Sequence, residues 1–294
     1  MRGDSSIQGV EGLRRVPPWV WAAIGVLALL AGVIAALLYT RPGLFFQRQD
    51  ATWLAVQERG VLRVGLDPSF PPFDGLDASG APVGFDVDLA AALARRWGVE
   101  VETVALGFDS LLDAVRTTRV DVVISALPFD ERLTKDVHFS QPYFDAGMRL
   151  AARRDLPIAA VDDLTGKRVA VEWGSAGDMI ARRLQREDKL DLTIVPYDTP
   201  QEAIDAAVHD PQIDALFIDH VSLRLAQGMG APLAAIGPPL ESNPYVIASP
   251  LAAYRLAAEI EAALTQMQID GELAALENRW FGTIEQPKQP QVQR

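Results

Sequence analysis

The sequence has no cysteine, which excludes disulfides, thiolate metal sites and a lipidated N-terminal cysteine. Its three histidines, His138, His209 and His220, stand far apart and lack Glu or Cys partners at ligand spacing, so no zinc site is predicted. Asp74, Asp77 and Asp86 do not follow a calcium-loop pattern and are expected to make turns and caps. Positive charge is in deficit: 27 basic against 39 acidic side chains leave −12, which would repel a phosphate backbone. Neither a nucleic-acid partner nor a metal or other cofactor is expected. The polar excess of a disordered chain is missing too, because 49% of the 294 residues are hydrophobic and 22% charged. That balance implies a buried core and one or two domains.

One long stretch lacks charge altogether. Residues 17–40, PPWVWAAIGVLALLAGVIAALLYT, hold an apolar run of ~20 residues, which at 1.5 Å per residue matches a hydrocarbon core of ~30 Å. A signal peptide has a shorter apolar run, roughly 7–15 residues, and a small-x-small cleavage site just after it. Here the run ends in LLYTRPG, and a buried core helix would not need apolar residues on every face. Residues 17–40 are therefore predicted to be a transmembrane anchor, with Trp19, Trp21 and Tyr39 near its ends. Arg2, Arg14 and Arg15 precede it, against Arg41 and Arg48 after it, which predicts a cytoplasmic segment at 1–16 and an external bulk domain. Residues 41–52 read as a tether.

Beyond the tether, strand-like and helix-like runs alternate, the pattern of an α/β domain. VLRVGL (61–66) precedes a loop and then GFDVDLAAALARRWG, where Leu89, Leu93 and Trp97 share a helical face and Asp86 is placed to cap. VETVAL (101–106), the short helix FDSLLDAVRTTR and the apolar run VDVVISAL (120–127) follow, the last reading as a strand buried on both faces. A second cycle begins after the polar break at 153–155. It runs through the strand GKRVAVEW (166–173), the helix after GSAGDM, the strand LDLTIVPY, the helix TPQEAIDAAVHD and the strand IDALFID (213–219). Thr199, Pro200 and Glu202 form a helix-start signature. VDVVIS and IDALFID look alike, so two similar lobes are predicted rather than one sheet. Leu256, Ile260, Leu264 and Met267 fall in helical register near the end, and EQPKQPQVQR is expected to be disordered.

Ligands of open α/β sheets bind outside the carboxyl ends of the strands, so the loops there are the candidates. The first carries Asp67, Phe70 and Phe73, a second Phe108, a third Ser125 to Arg132, a fourth Trp173–Gly174–Ser175, and Asp219 ends a fifth strand. Rings beside an acid suit a pocket that sandwiches an aliphatic stem and captures a cationic head. Alternatively, Phe70 and Phe73 plug the end of a core. WGSAG resembles a nucleophile elbow, but Trp173 stands where the first glycine of G-x-S-x-G is required, so no serine hydrolase is predicted.

GVLRVGLDPSFPPFDGLDASGAPVGFDVDLAAALARRWG resembles the opening of the bacterial extracellular solute-binding proteins of family 3, the polar amino-acid receptors of ABC importers. The resemblance continues through RVDVVISALPFDERLTKDVHFSQPYF, GKRVAVEWGS, IDALFID and DGELAALENRWFG, across roughly residues 60–282. It implies a type II periplasmic-binding-protein-like fold in which two α/β lobes, joined by a two-stranded hinge near 147–153 and 243–249, close over one ligand. The lobes would be 53–147 with 246–284, and 148–245, followed by a tail at 285–294. By the same resemblance, Asp67 meets a polar or cationic ligand side chain, Phe70 and Phe108 sandwich its stem, and Asp219 takes the α-ammonium group. Ser125 and Trp173 complete the ligand-binding set. Ser175, with the N–H groups around Ala176, would hold the α-carboxylate at a helix N-terminus, and Arg132 would grip it bidentately.

The arginine segment departs from the family's pattern. Phe129 replaces a threonine, Ala126 and Pro128 replace hydroxyl-bearing residues, and an ungapped alignment through HFSQPY puts Leu133 at the arginine's position. An altered clamp would imply a ligand other than an ordinary α-amino acid. The resulting expectation is a monomeric, non-enzymatic, single-pass membrane protein that delivers a small polar or cationic amino acid to an ABC permease from the extracytoplasmic side. Two other readings stay open: a dehydratase-like enzyme on the same fold, with Glu172 as its acid or base, and a sensor ectodomain working with a separate membrane partner.

Overall fold

A computed structural model describes residues 51–282. The predicted cytoplasmic segment, membrane anchor and terminal tail, and the tether up to residue 50, lie outside the described residues. Among those described, no helix is long and apolar enough to cross a membrane.

The tether's last two residues already belong to helix α1 (Ala51–Arg59), whose Val56 is buried. Strand β1 (Val61–Leu66) follows, then a short hairpin of β2 (Gly75–Leu76) and β3 (Pro82–Val83), helix α2 (Phe85–Trp97) and strand β4 (Glu100–Ala105). Helix α3 (Leu111–Arg116), β5 (Val122–Val123), β6 (Val137–Phe139), β7 (Phe144–Asp145) and β8 (Met148–Arg153) complete the first half. The second half runs β9 (Arg168–Glu172), α4 (Ala176–Arg186), β10 (Thr193–Tyr197), α5 (Pro200–His209), β11 (Ala215–Asp219), α6 (His220–Gly228) and β12 (Leu233–Glu241). It ends with β13 (Pro244–Tyr245), β14 (Ala248–Pro250), α7 (Tyr254–Ile269) and α8 (Glu272–Phe281).

Two five-stranded sheets organise these elements, ordered β4-β1-β5-β14-β6 and β10-β9-β11-β8-β12. Their inner strands carry consecutive buried apolar residues, as sheets covered by helices on both faces require: Val169, Ala170 and Val171 of β9, like Ala215, Leu216, Phe217 and Ile218 of β11, are buried, and in β1 only Arg63 interrupts the run from Leu62 to Leu66. The chain is thus an α/β protein of two lobes. The likeness of VDVVIS to IDALFID has a physical counterpart. The Asp121 carboxylate accepts the Arg63 N–H at 2.8 Å while its own N–H donates to Arg63 O, and Asp214 does the same with Arg168 at 2.9 Å. In each lobe an aspartate locks the entry of one strand to the next.

Three local expectations change. The run 120–127 is buried throughout, yet only Val122–Val123 form a ladder, because Ala126 adopts a left-handed φ of 42° and turns the chain out of the sheet. The helix α2 is capped by Gly84, not Asp86; any side chain at Gly84 would overlap the Phe73 carbonyl. Asp86 is instead buried in the first turn and accepts the Ala126 N–H. The two-stranded ladder between the sheets joins Phe144–Asp145 to Pro244–Tyr245, a few residues before the expected 147–153. Residues 148–153 are taken by β8, which pairs with both β11 and β12.

Candidate functional site

Two cavities open at the carboxyl ends of the two sheets. The first, of 270 Å³, is lined by Asp67, Ser69, Phe70, Phe108, Ser125, Ala126, Pro128 and Tyr245. The second, of 210 Å³, is lined by Met148, Glu172, Ser175, Pro200, Ala203, Phe217, Ile218 and Asp219. Six of the eight residues singled out in the sequence are therefore gathered, four in one cavity and two in the other.

The loop after β1 divides its rings between two tasks. Phe73 is fully buried, with edge contacts to Phe85, Phe144, Tyr245 and Phe281 at centroid distances of 5.1 to 5.7 Å. Phe70 stacks on Phe73 at 5.9 Å and stays 49% exposed, so it is held from behind and offers its other face to the cavity. Phe108, 47% exposed, stands on the first turn after β4. Its N–H donates to Asp67 Oδ2 at 2.8 Å, which ties the acid and the ring together.

Behind this wall lies a chain of buried polar groups. Ser125 Oγ accepts the Asp67 N–H at 2.9 Å and donates to Asp74 Oδ2 at 2.8 Å. Asp74 in turn faces Asp86, and both carboxylates are fully buried. Burial and the neighbouring Asp86 charge push Asp74 up to about 9. Burial likewise raises Asp86. Two carboxylates so placed cannot both ionise without a large desolvation cost, so the pair holds a proton at neutral pH. Asp77 does make the expected turn, accepting from Ser79 and Ala81; Asp74 and Asp86 do not make turns or caps.

In the second cavity Asp219 ends β11 and caps α6, accepting the Ser222 N–H on Oδ1 at 2.8 Å. Ser175 caps α4, accepting the Asp178 N–H at 3.3 Å. Tyr245, which no periodicity in the sequence marks, is a further residue of the first cavity. Burial followed by the charges of Asp219 and Asp86 pushes its hydroxyl up to about 12.

Arg132 and Trp173 line neither cavity. The Arg132 side chain is 88% exposed and makes a bidentate pair with Asp130, Nε to Oδ1 at 2.9 Å and Nη2 to Oδ2 at 2.6 Å. Trp173 is 71% exposed beside Glu172.

The model for bacterial extracellular solute-binding proteins, family 3, matches residues 62–283. The L-cystine-binding protein of Escherichia coli is 30% identical over 265 residues, spanning 89% of this chain and 97% of its own. The lysine/arginine/ornithine-binding periplasmic protein of the same organism is 28% identical over 230 residues, 75% of this chain and 87% of that one. Among solved structures, an ancestral cyclohexadienyl dehydratase superposes with a TM-score of 0.67 at 26% identity, covering 78% of this chain and 95% of the other.

Proposed function

The chain belongs to the bacterial extracellular solute-binding proteins, family 3, and from that premise we propose that it retains a small polar or cationic amino acid between its two lobes. On this reading it is anchored by residues 17–40 on the outer side of the membrane and hands its ligand to an ABC permease. Lobe 1 comprises 53–147 with 246–284, and lobe 2 comprises 148–245. The observation that carries the reading is the pairing of two cavities, each at the carboxyl ends of its own sheet and each with an acid at its wall.

Asp67 holds the cationic or polar end of the ligand, and Phe70 and Phe108 enclose its stem through dispersion and cation–π attraction. Ser125 stiffens that wall. Asp219 takes an ammonium group from the other side, beside Ser175, and exposed Trp173 covers the ligand on closure. Contacts made to both lobes at once favour the closed form, which is the switch that a permease can read.

Isothermal calorimetry of the full chain, freed of carried-over ligand, against the common amino acids and ornithine tests this. One polar or basic amino acid is expected to bind with one-to-one stoichiometry, weakened at least tenfold in Asp219→Asn. Binding of none of them, or binding untouched by that change, would overturn it.

The dehydratase reading has one feature in its favour, Glu172 in the second cavity. An anionic acid substrate would meet Asp67, Glu172 and Asp219 with no basic side chain among the described residues lining either cavity. Retention without turnover is therefore the expected behaviour.

A further inference from the structure

The two cavities share an unusual charge balance for a site that takes an amino acid. Asp67 lines one, Glu172 and Asp219 line the other, and among the described residues no Lys, Arg or His lines either. Three acids stand ready for cations, and no side-chain cation stands ready for a carboxylate.

The neutral donors are also largely in use. Ser125 has one proton and gives it to Asp74, so its hydroxyl, which also accepts the Asp67 N–H, faces the cavity only as an acceptor. The N-terminus of α4, a natural anion site, already has the carboxylate of Asp178 in its first turn. That side chain is nearly fully buried, accepts the Gly174 N–H at 3.2 Å and pairs with Arg182 at 2.9 Å. The N-terminus of α6 is occupied in the same way by Asp219 itself. Arg132 is engaged by Asp130 outside both cavities. What remains for a ligand carboxylate is neutral, the hydroxyls of Ser69, Ser175 and Tyr245 and the backbone N–H groups at the start of α4, facing it alongside three repelling charges.

We propose that this site reads the cationic ends of its ligand and makes no charge-paired contact to a carboxylate. The amines and guanidines left when a basic amino acid loses its carboxyl group are then ligands on equal terms with the amino acids. The inference rests on the binding-protein reading above and narrows its ligand class. Asp67 and Asp219, in separate cavities, receive the two positive ends of one chain-like dication. The rings of Phe70 and Phe108 pack its methylene stem, a contact indifferent to whether a carboxylate is attached.

Calorimetry with matched pairs tests it: arginine against agmatine, lysine against cadaverine, ornithine against putrescine, each on the full chain. In the pair that binds tightest, the amine is expected to have a Kd no more than tenfold above that of its amino acid. Asp67→Asn and Asp219→Asn should each weaken both members by the same factor within threefold. A deficit of the amine beyond tenfold, the mark of a charge-assisted carboxylate contact, would overturn the inference and leave the binding-protein reading intact. If Arg132→Ala then erased that advantage, the arginine would be identified as its source. Binding of no member of any pair would sink the inference together with the cationic ligand class from which it starts.

Discussion

At the scale of single residues, the least exposed polar group near the site is also the most consequential. Asp74 and Asp86 lie twelve positions apart in a stretch whose acids look like turn formers, and each other partner, Ser125 and the Ala126 N–H, comes from a distant strand end. Nothing local in the sequence signals that convergence. A carboxyl whose native pKa exceeds its unfolded one keeps a proton that the unfolded chain has released. The native state then binds more protons, and stability declines as pH rises. For Asp74 the contribution is complete below its ordinary value of 3.8 and is lost as the pH climbs to about 9. The melting temperature of the full chain is therefore expected to fall between pH 6 and pH 9. In a chain of this size one pKa unit of difference corresponds to roughly 3–5 °C. Asp74→Asn, which mimics the protonated acid and keeps an acceptor for Ser125, should flatten that slope. Parallel slopes for the two proteins would remove the acid pair as the proton holder.

At the scale of elements, Asp219 has two tasks that a careless substitution would confuse. Its Oδ1 caps α6 through Ser222, and on the proposed function its remaining oxygen is the one offered to a ligand. Loss of an N-cap costs about 0.5–2 kcal/mol, while Asn caps as well as Asp. Asp219→Asn should therefore melt within about 2 °C of the wild type and lose affinity, whereas Asp219→Ala should lose both; equal destabilisation by the two would show that charge, not the cap, is what α6 needs. The long elements were legible because their periodicity is strong. Leu256, Ile260, Leu264 and Met267 are all buried on α7, as their spacing demands, and Thr199 caps α5 through the Glu202 N–H. The short ones were not. The connecting ladder uses two residues per strand, Phe144–Asp145 with Pro244–Tyr245, too few for alternation to register. The same brevity hid Tyr245, a ring of the first cavity. Of the site, the rings and acids at strand ends were legible from loop position, but which ring is core and which is pocket was not. Phe70 and Phe73 differ only in which one the aromatic cluster surrounds.

At the scale of the whole molecule, a ligand held in one cavity alone would forfeit the attraction of the acid in the other. If Asp67 and Asp219 each hold one end of the same ligand, binding and closure become one equilibrium, and the ligand shifts it by its differential affinity for the closed form. Gly147 stands where the chain crosses between lobes. A Cβ there would overlap the Glu241 carbonyl oxygen, so the crossing strands approach as closely as backbone allows. The absence of native cysteine makes the motion directly measurable. Cysteines introduced at two exposed positions, Asp113→Cys on α3 and Met179→Cys on α4, can carry a donor and acceptor dye on otherwise unreactive protein. Energy transfer between them is expected to rise on adding the tightest ligand found by calorimetry. In Asp219→Asn the same ligand, even at concentrations that saturate lobe 1, should raise it much less, because only one lobe then gains from closing. A full rise in that variant would mean that Asp219 does not couple the lobes, and a ligand that binds without any rise in the parent would remove closure from the mechanism altogether.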